Sequence, residues 1–151
     1  MNDKISETRI AALHPKVRQI FTSFIEDAES EFGITLRVSE GYRSIAYQNS
    51  LYAKGRTTAG KIVTNARGGS SYHNYGLAID LVELKEGKIN WNFDYSKLLP
   101  LARKYNLTWG GTFKNIIDKP HYEITFGNNW RTLLKKYGEK DFIPNTEYVN
   151  I

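Results

Sequence analysis

Apolar residues recur at spacings of three and four from Pro15 onward. Val17, Ile20, Phe21, Phe24, Ile25 and Ala28 share one helical face, which predicts a helix over Pro15–Phe32. Pro15 suits its first turn and Gly33 its C-terminal stop. Ile34–Ser39 alternates apolar and polar, the pattern of a half-buried strand. Gly41-Tyr42-Arg43 turns the chain into a second helix, from Ser44 to about Lys54, closed by Gly55. From Gly55 to Tyr72 the chain is rich in Gly, Thr, Ser and Asn, and a compact domain rarely carries so long a loop without using it. Leu77–Val82 is a buried strand interrupted by one acid, Asp80, and Glu86-Gly87 is a hairpin turn into Lys88–Trp91. Asp94–Asn106 is helical in pattern, with Pro100 near its start or at a kink. Thr108–Gly111 and His121–Thr125 are further short strands, and Trp130–Tyr137 is a closing helix ending at Gly138. Strands joined by turns, with helices grouped before and after them, predict an α+β fold with a small, mostly antiparallel sheet and helices packed around it. Residues 1–151 read as one domain, with a core from about Ile5 to Tyr137 and a loose tail over 138–151. The length suits one domain, and no internal repeat or linker divides it.

Composition narrows the chemistry more than the fold. The chain has no Cys, which removes disulfide scaffolds, thiolate metal sites and cysteine nucleophiles together. Any metal must be held by His, Asp or Glu, and there are only three His: His14, His73 and His121. A net charge of +5 favours polyanionic surroundings. The basic residues are dispersed, the densest group being Arg131, Lys135 and Lys136 with Lys140 beyond. No nucleic-acid-binding motif accompanies the charge, so no nucleic-acid partner is expected. The polar, mixed-charge start shows no secretory signal, and no apolar run is long enough for a transmembrane helix. The expectation is a protein made in the cytoplasm without a visible export signal.

Two short stretches carry candidate chemistry. In Ser71-Tyr72-His73-Asn74-Tyr75-Gly76-Leu77-Ala78-Ile79-Asp80, His73 and Asp80 are seven apart, an offset that puts them on opposite faces of a continuous strand. They converge only if the chain bends, and Asn74-Tyr75-Gly76 supplies the bend. Asp80, in an apolar strand, needs a cationic partner or a metal. In Asp118-Lys119-Pro120-His121-Tyr122-Glu123, Pro120 disfavours helix, so His121 opens a strand with Glu123 on its own side and Tyr122 on the other. His73, Asp80 and His121 make two imidazoles and one carboxylate, the minimum protein set for an open catalytic zinc site with a position left for water. A neighbouring carboxylate must then take the proton, with Asp118 the first candidate and Glu123 the second. His14, before Pro15, reads as a cap or surface residue. Trp109, beside Gly110-Gly111, lines a cleft or packs in the core; Tyr72, Tyr75 and Tyr122 flank the ligands and are candidates for substrate contact.

The pattern Ser71-x-His73-x-x-Gly76-x-Ala78-x-Asp80, followed by Asp118-x-Pro120-His121, resembles the D-Ala-D-Ala carboxypeptidase and endolysin branch of zinc peptidases, within a fold group that includes hedgehog-type domains. Gly41-Tyr42-Arg43-Ser44 with Gln48, and Gly60–Ala66, match the same family, and the detail is most similar to L-alanyl-D-glutamate endopeptidases of phage and bacterial type. The resemblance spans roughly Leu13–Thr125. It implies one zinc per chain on His73, Asp80 and His121, Asp118 as base, and Arg43 polarising the scissile carbonyl or holding a substrate carboxylate. It further implies Ser71 at the cleft edge, Gln48 at or behind the substrate, Glu123 behind the ligands, peptidoglycan stem peptides as substrate, action on the cell wall after release or export, and a monomer. Two departures are visible: Tyr122-Glu123 follows the last His where many members carry Phe, and too little chain follows Tyr137 for a separate wall-binding domain. A D,D-carboxypeptidase with the same chemistry is the alternative, and a catalytically silent wall-binding module is a more distant one.

Overall fold

The computed structural model describes residues 1–151. Its centre is a five-stranded sheet, antiparallel throughout: β1 (Thr35–Glu40), β2 (Ala78–Lys85), β3 (Lys88–Asn90), β4 (Thr108–Trp109) and β5 (His121–Glu123). The strands run β1-β2-β5-β4, with β3 also paired to β2. One edge of β2 is occupied by β1, and the other is shared by β5 near its start and β3 near its end. The long strand carrying Asp80 is therefore fixed on both sides, and the expected α+β architecture is present.

The helices are α1 (Lys4–Ala11), α2 (Pro15–Phe32), α3 (Ile45–Ala53), α4 (Leu99–Lys104) and α5 (Trp130–Gly138). In α2 the predicted apolar face is the buried one: Val17, Phe21, Phe24, Ile25 and Ala28 join Leu36, Leu77, Ile79, Leu81 and Tyr122 in a single core. His14 caps α2 by accepting from the Lys16 amide, and Gly33 closes it in the left-handed conformation. No helix is long and apolar enough to cross a membrane.

One element was not anticipated, and two expectations are corrected. The polar start forms α1, because Asp3 caps it through the Ser6 amide and hydroxyl and pairs with Arg37 of β1 at 2.8 Å. Side-chain capping and an ion pair, not an apolar stripe, hold this helix in place. The helix expected over Asp94–Asn106 is a 3-10 turn, Tyr95–Leu98, followed by α4, with Pro100 in the first turn where its missing N–H costs nothing. The tail is not loose. Phe142 bridges to Val149, which is 1% exposed, and Val149 accepts a 2.8 Å hydrogen bond from the buried ring of His14, so His14 is not a surface residue either.

Tyr122 is wholly buried against Phe24, 5.1 Å between ring centroids, and its hydroxyl has no hydrogen-bond partner. An unpaired buried hydroxyl is costly. Tyr122→Phe is expected to raise stability by about 1 kcal/mol, seen as a higher denaturation midpoint at unchanged m-value.

Candidate metal centre

The bend between His73 and Asp80 is a 3-10 turn, Tyr72–Tyr75, ended by Gly76 at φ 68°. A side chain at Gly76 would strike the His14 amide, which donates to the Gly76 carbonyl, so the turn lies tightly against the start of α2. Asp80 lies on β2 opposite His121 of β5. On its other side, β1 carries a bulge between Val38 and Glu40, so that Glu40 rather than Ser39 faces Asp80, and Ser39 donates its hydroxyl to the Asp80 carbonyl. Bulges of this kind re-aim side chains beside functional sites.

The ligand atoms of His73, Asp80 and His121 all lie within 4.8 Å of one another. Asp80 Oδ1 is 3.4 Å from His73 Nε2 and 3.3 Å from His121 Nδ1. Tetrahedral coordination with bonds of about 2.0–2.1 Å has ligand–ligand edges of about 3.3 Å, so the two distances from Asp80 match tetrahedral edges. The outer nitrogen of each ring is already engaged. His73 Nδ1 donates to the Gly41 carbonyl at 2.7 Å, and His121 Nε2 donates to Glu123 at 2.8 Å. These bonds fix the ring orientations that turn His73 Nε2 and His121 Nδ1 toward the centre, the nitrogens that would bind a metal once it displaces their protons.

Electrostatics follow from this crowding. Burial pushes the Asp80 carboxyl up, but hydrogen bonds from His121 and His73 outweigh it and hold it well below the usual carboxylate range. Burial opposes charge on His121, yet its bonds to Asp80 and Glu123 push it up to about 9. Asp118 is raised, by burial first and then by the charge of Asp80. Its carboxylate lies 3.9 Å from His121 Nδ1 with about half its surface open. Gly110 sets this position. The Asp118 amide donates to the Gly110 carbonyl, and a side chain on Gly110 would collide with the Asp118 carbonyl.

Arg43 reaches Asp80 Oδ2 at 3.5 Å and Glu40 at 3.7 Å. Gln48 is fully buried behind it, accepting from Arg43 at 3.4 Å and donating to the Ala66 carbonyl at 2.9 Å, so it supports Arg43 instead of meeting a substrate. Ser71 caps the 3-10 turn through the His73 amide. Trp109 packs in the core with its indole N–H donating to the Lys119 carbonyl, and Tyr122 and Tyr75 are buried, so none of the three faces the cleft. Glu123 is buried and bonded to His121, which leaves the half-open Asp118 as the accessible carboxylate.

Two contributors went unread in the sequence. Asn74 accepts from the Gly69 and Ser71 amides and donates to the Arg43 carbonyl, knitting three loops together. A cleft of about 620 Å³ runs from Asp118 between Ile62–Ala66 on one side and Phe113, Ile116 and Trp130 on the other. Exposed aliphatic residues in otherwise polar loops, Ile62-Val63 and Ile116-Ile117, were the signal for it.

An antiparallel sheet that delivers two imidazoles and a carboxylate to one point, with an open acid beside them, describes the metallopeptidase class. The chain belongs to the VanY family, D-alanyl-D-alanine carboxypeptidase, whose family model matches residues 10–126. It is 41% identical to the peptidoglycan L-alanyl-D-glutamate endopeptidase CwlK of Bacillus subtilis, over 74% of this chain and 73% of that one. Among solved structures it is similar to the Serratia marcescens L-Ala D-Glu endopeptidase ChiX, at 25% identity and a TM-score of 0.59 over 82% of this chain and 88% of that chain. It shares its fold with a mutant of the vancomycin resistance D,D-pentapeptidase VanY in complex with Zn(II), at 18% identity and a TM-score of 0.54 over 74% and 71% of the two chains.

Two outcomes follow from the site. Glu123→Gln keeps an acceptor for His121 but removes the charge, and is expected to weaken metal affinity about 10–100-fold in chelator competition without loss of fold. In the metal-free protein His121 keeps its proton up to about 9, whereas the unfolded chain releases it near 6.5. The stability this proton confers is complete below pH 6.5 and is lost as pH rises through about 9. Thermal melts of the chelated protein are expected to show Tm falling across that window, while metal affinity rises about tenfold per pH unit because binding must displace the same proton.

Proposed function

We propose that the protein is a zinc-dependent peptidoglycan peptidase that cleaves the L-Ala–D-Glu bond of wall stem peptides, with one zinc per chain on His73 Nε2, His121 Nδ1 and Asp80. The observation that carries this reading is the convergence of those three side chains, with Asp80 Oδ1 3.4 and 3.3 Å from the two ring nitrogens, beside a half-open acid. The 41% identity to a L-alanyl-D-glutamate endopeptidase and the likeness to ChiX support the choice of bond, and the Zn(II)-bound fold relative supports the choice of metal.

Zinc supplies Lewis acidity, which lowers the pKa of a water toward about 7 and polarises a carbonyl. The chain's own residues do the rest. Asp118, raised by burial and by Asp80, accepts the proton of the attacking water and later returns it to the leaving amine. Its raised pKa suits both halves of that transfer, because a stronger acid would hold the proton too weakly. Arg43, steadied by Gln48 and Asp80, offers N–H groups to the carbonyl oxygen as it gains negative charge. The cleft between Ile62–Ala66 and Phe113–Ile116 takes the peptide on either side of the bond.

Digestion of purified peptidoglycan followed by mass spectrometry is expected to release fragments with new N-terminal D-Glu. Release of free D-Ala instead would assign the D,D-carboxypeptidase activity after which the family is named. Asp118→Asn is expected to lower kcat about 10²–10⁴-fold while metal analysis still finds about one zinc per chain.

A further inference from the structure

The net charge of +5 is confined to one segment. Between Gly41 and Ile79 there are five basic residues, Arg43, Lys54, Arg56, Lys61 and Arg67, and no acidic one; the rest of the chain has 16 basic against 16 acidic. Arg43 points inward at Asp80 and Glu40. The other four are exposed, and none enters an ion pair. The basic group densest in sequence is different. On α5, Lys135 pairs with Glu139 at 3.9 Å, and Lys136 pairs with Asp141 at 3.3 Å.

The four unpaired cations form one patch. The Arg56 guanidinium lies 3.8 Å from the Tyr52 ring centroid, and Arg67 lies 5.3 Å from the same ring. Arg56 also donates to the Tyr52 and Thr64 carbonyls and to Asn65, binding the end of α3 to the following loop. Gly55 packs on the backbone of Lys61 and Ile62, where a Cβ would lie 2.7 Å from the Ile62 nitrogen, so the chain at Lys54-Gly55 lies against the chain at Lys61-Ile62. This loop is the same one whose Ile62–Ala66 stretch walls the cleft that reaches Asp118. A fixed cationic lip with no counter-charge therefore continues out of the cleft.

We propose that this lip is an exosite for the free carboxylates of the substrate polymer, with Lys54, Lys61 and Arg67 making the contacts and Arg56 holding the loop. The proposal rests on the peptidoglycan-peptidase reading. A glutamate in a peptide chain uses one carboxyl for the backbone and leaves the other free, so a carboxylate lies within a residue of the scissile bond. Stem peptides repeat along the polymer, so several carboxylates meet the lip together. Individually weak surface attractions then add to useful retention on an insoluble substrate. Continuity with the cleft favours the substrate's own carboxylates over a separate polyanion.

The test is co-sedimentation with peptidoglycan stripped of attached phosphate polymers, over a salt series. The variant Lys54→Gln/Lys61→Gln/Arg67→Gln is expected to raise the apparent Kd about tenfold at low salt and flatten its salt dependence. The KM for peptidoglycan should rise by the same factor. A control with equal charge change, Lys4→Gln/Lys85→Gln/Lys88→Gln, should bind as the unaltered protein does. Capping the peptidoglycan carboxyls as neutral amides should weaken unaltered protein to the level of the lip variant. An equal loss in the control, no loss in the lip variant, indifference to amide capping, or binding that appears only with the phosphate polymers left in place overturns the proposal. Sedimentation reads binding whichever bond is cut, so a digest without new N-terminal D-Glu, alongside carboxylate-dependent binding through the lip, sinks the bond assignment and upholds the exosite.

Discussion

A half-buried carboxylate in an apolar strand is the constraint on which the site depends. Asp80 sits among Ile79, Leu81 and Val82, all buried, where an unpaired charge is prohibitively expensive. Its two oxygens are answered from different directions, Oδ1 by both imidazoles and Oδ2 by Arg43. Those partners come from the 3-10 turn, from β5 and from the turn after β1, three segments far apart in the chain. Solvating one acid therefore requires that β1, β2, β5 and the Tyr72–Tyr75 turn already be assembled. Because β2 is paired along both edges, the carboxylate is also held where a metal needs it.

Orientation is set one layer further out. Each ligand imidazole presents a single nitrogen inward because the other is fixed by the Gly41 carbonyl or by Glu123. Asp118 owes its place to backbone contact with Gly110, and Arg43 owes its place to Gln48. The polar groups closest to the reaction thus differ from those that place them, and most of the placing groups are backbone carbonyls, glycines and buried amides. Such groups carry no titratable signature of their own.

That difference explains what was readable. The period of α2, the bend at Gly76, and the pairing of His73 with Asp80 all follow from local pattern and the cost of burying charge, and the structure has each of them. The tail and α1 escaped because their anchors are long-range: His14 to Val149, and Asp3 to Arg37. Tyr122 illustrates a different error. Strand alternation already sets it on the face opposite His121, yet proximity in sequence made it a candidate for substrate contact; the alternation wins, and Tyr122 is core. Trp109 follows the same logic, its neighbouring glycines making room for the Asp118 loop and for its own ring instead of for a substrate.

The charge distribution has a related cause. Asp80, Asp118 and Glu123 approach the centre from β2, the loop before β5 and β5 respectively, whereas Arg43 approaches from the acid-free segment between Gly41 and Ile79. An acid on that segment near Arg43 would compete with Asp80 for the guanidinium and add a second negative charge beside Asp118. Raising Asp118 further would tie up the proton acceptor, and diverting Arg43 would leave Asp80 Oδ2 unanswered. Arg43 already meets Glu40, just outside the segment, at 3.7 Å besides Asp80, and keeping further acids off the segment limits this competition while leaving the exposed cations there without a local counter-charge. The acid-free stretch that serves Asp80 and Arg43 thus also carries the basic lip that opens onto the cleft.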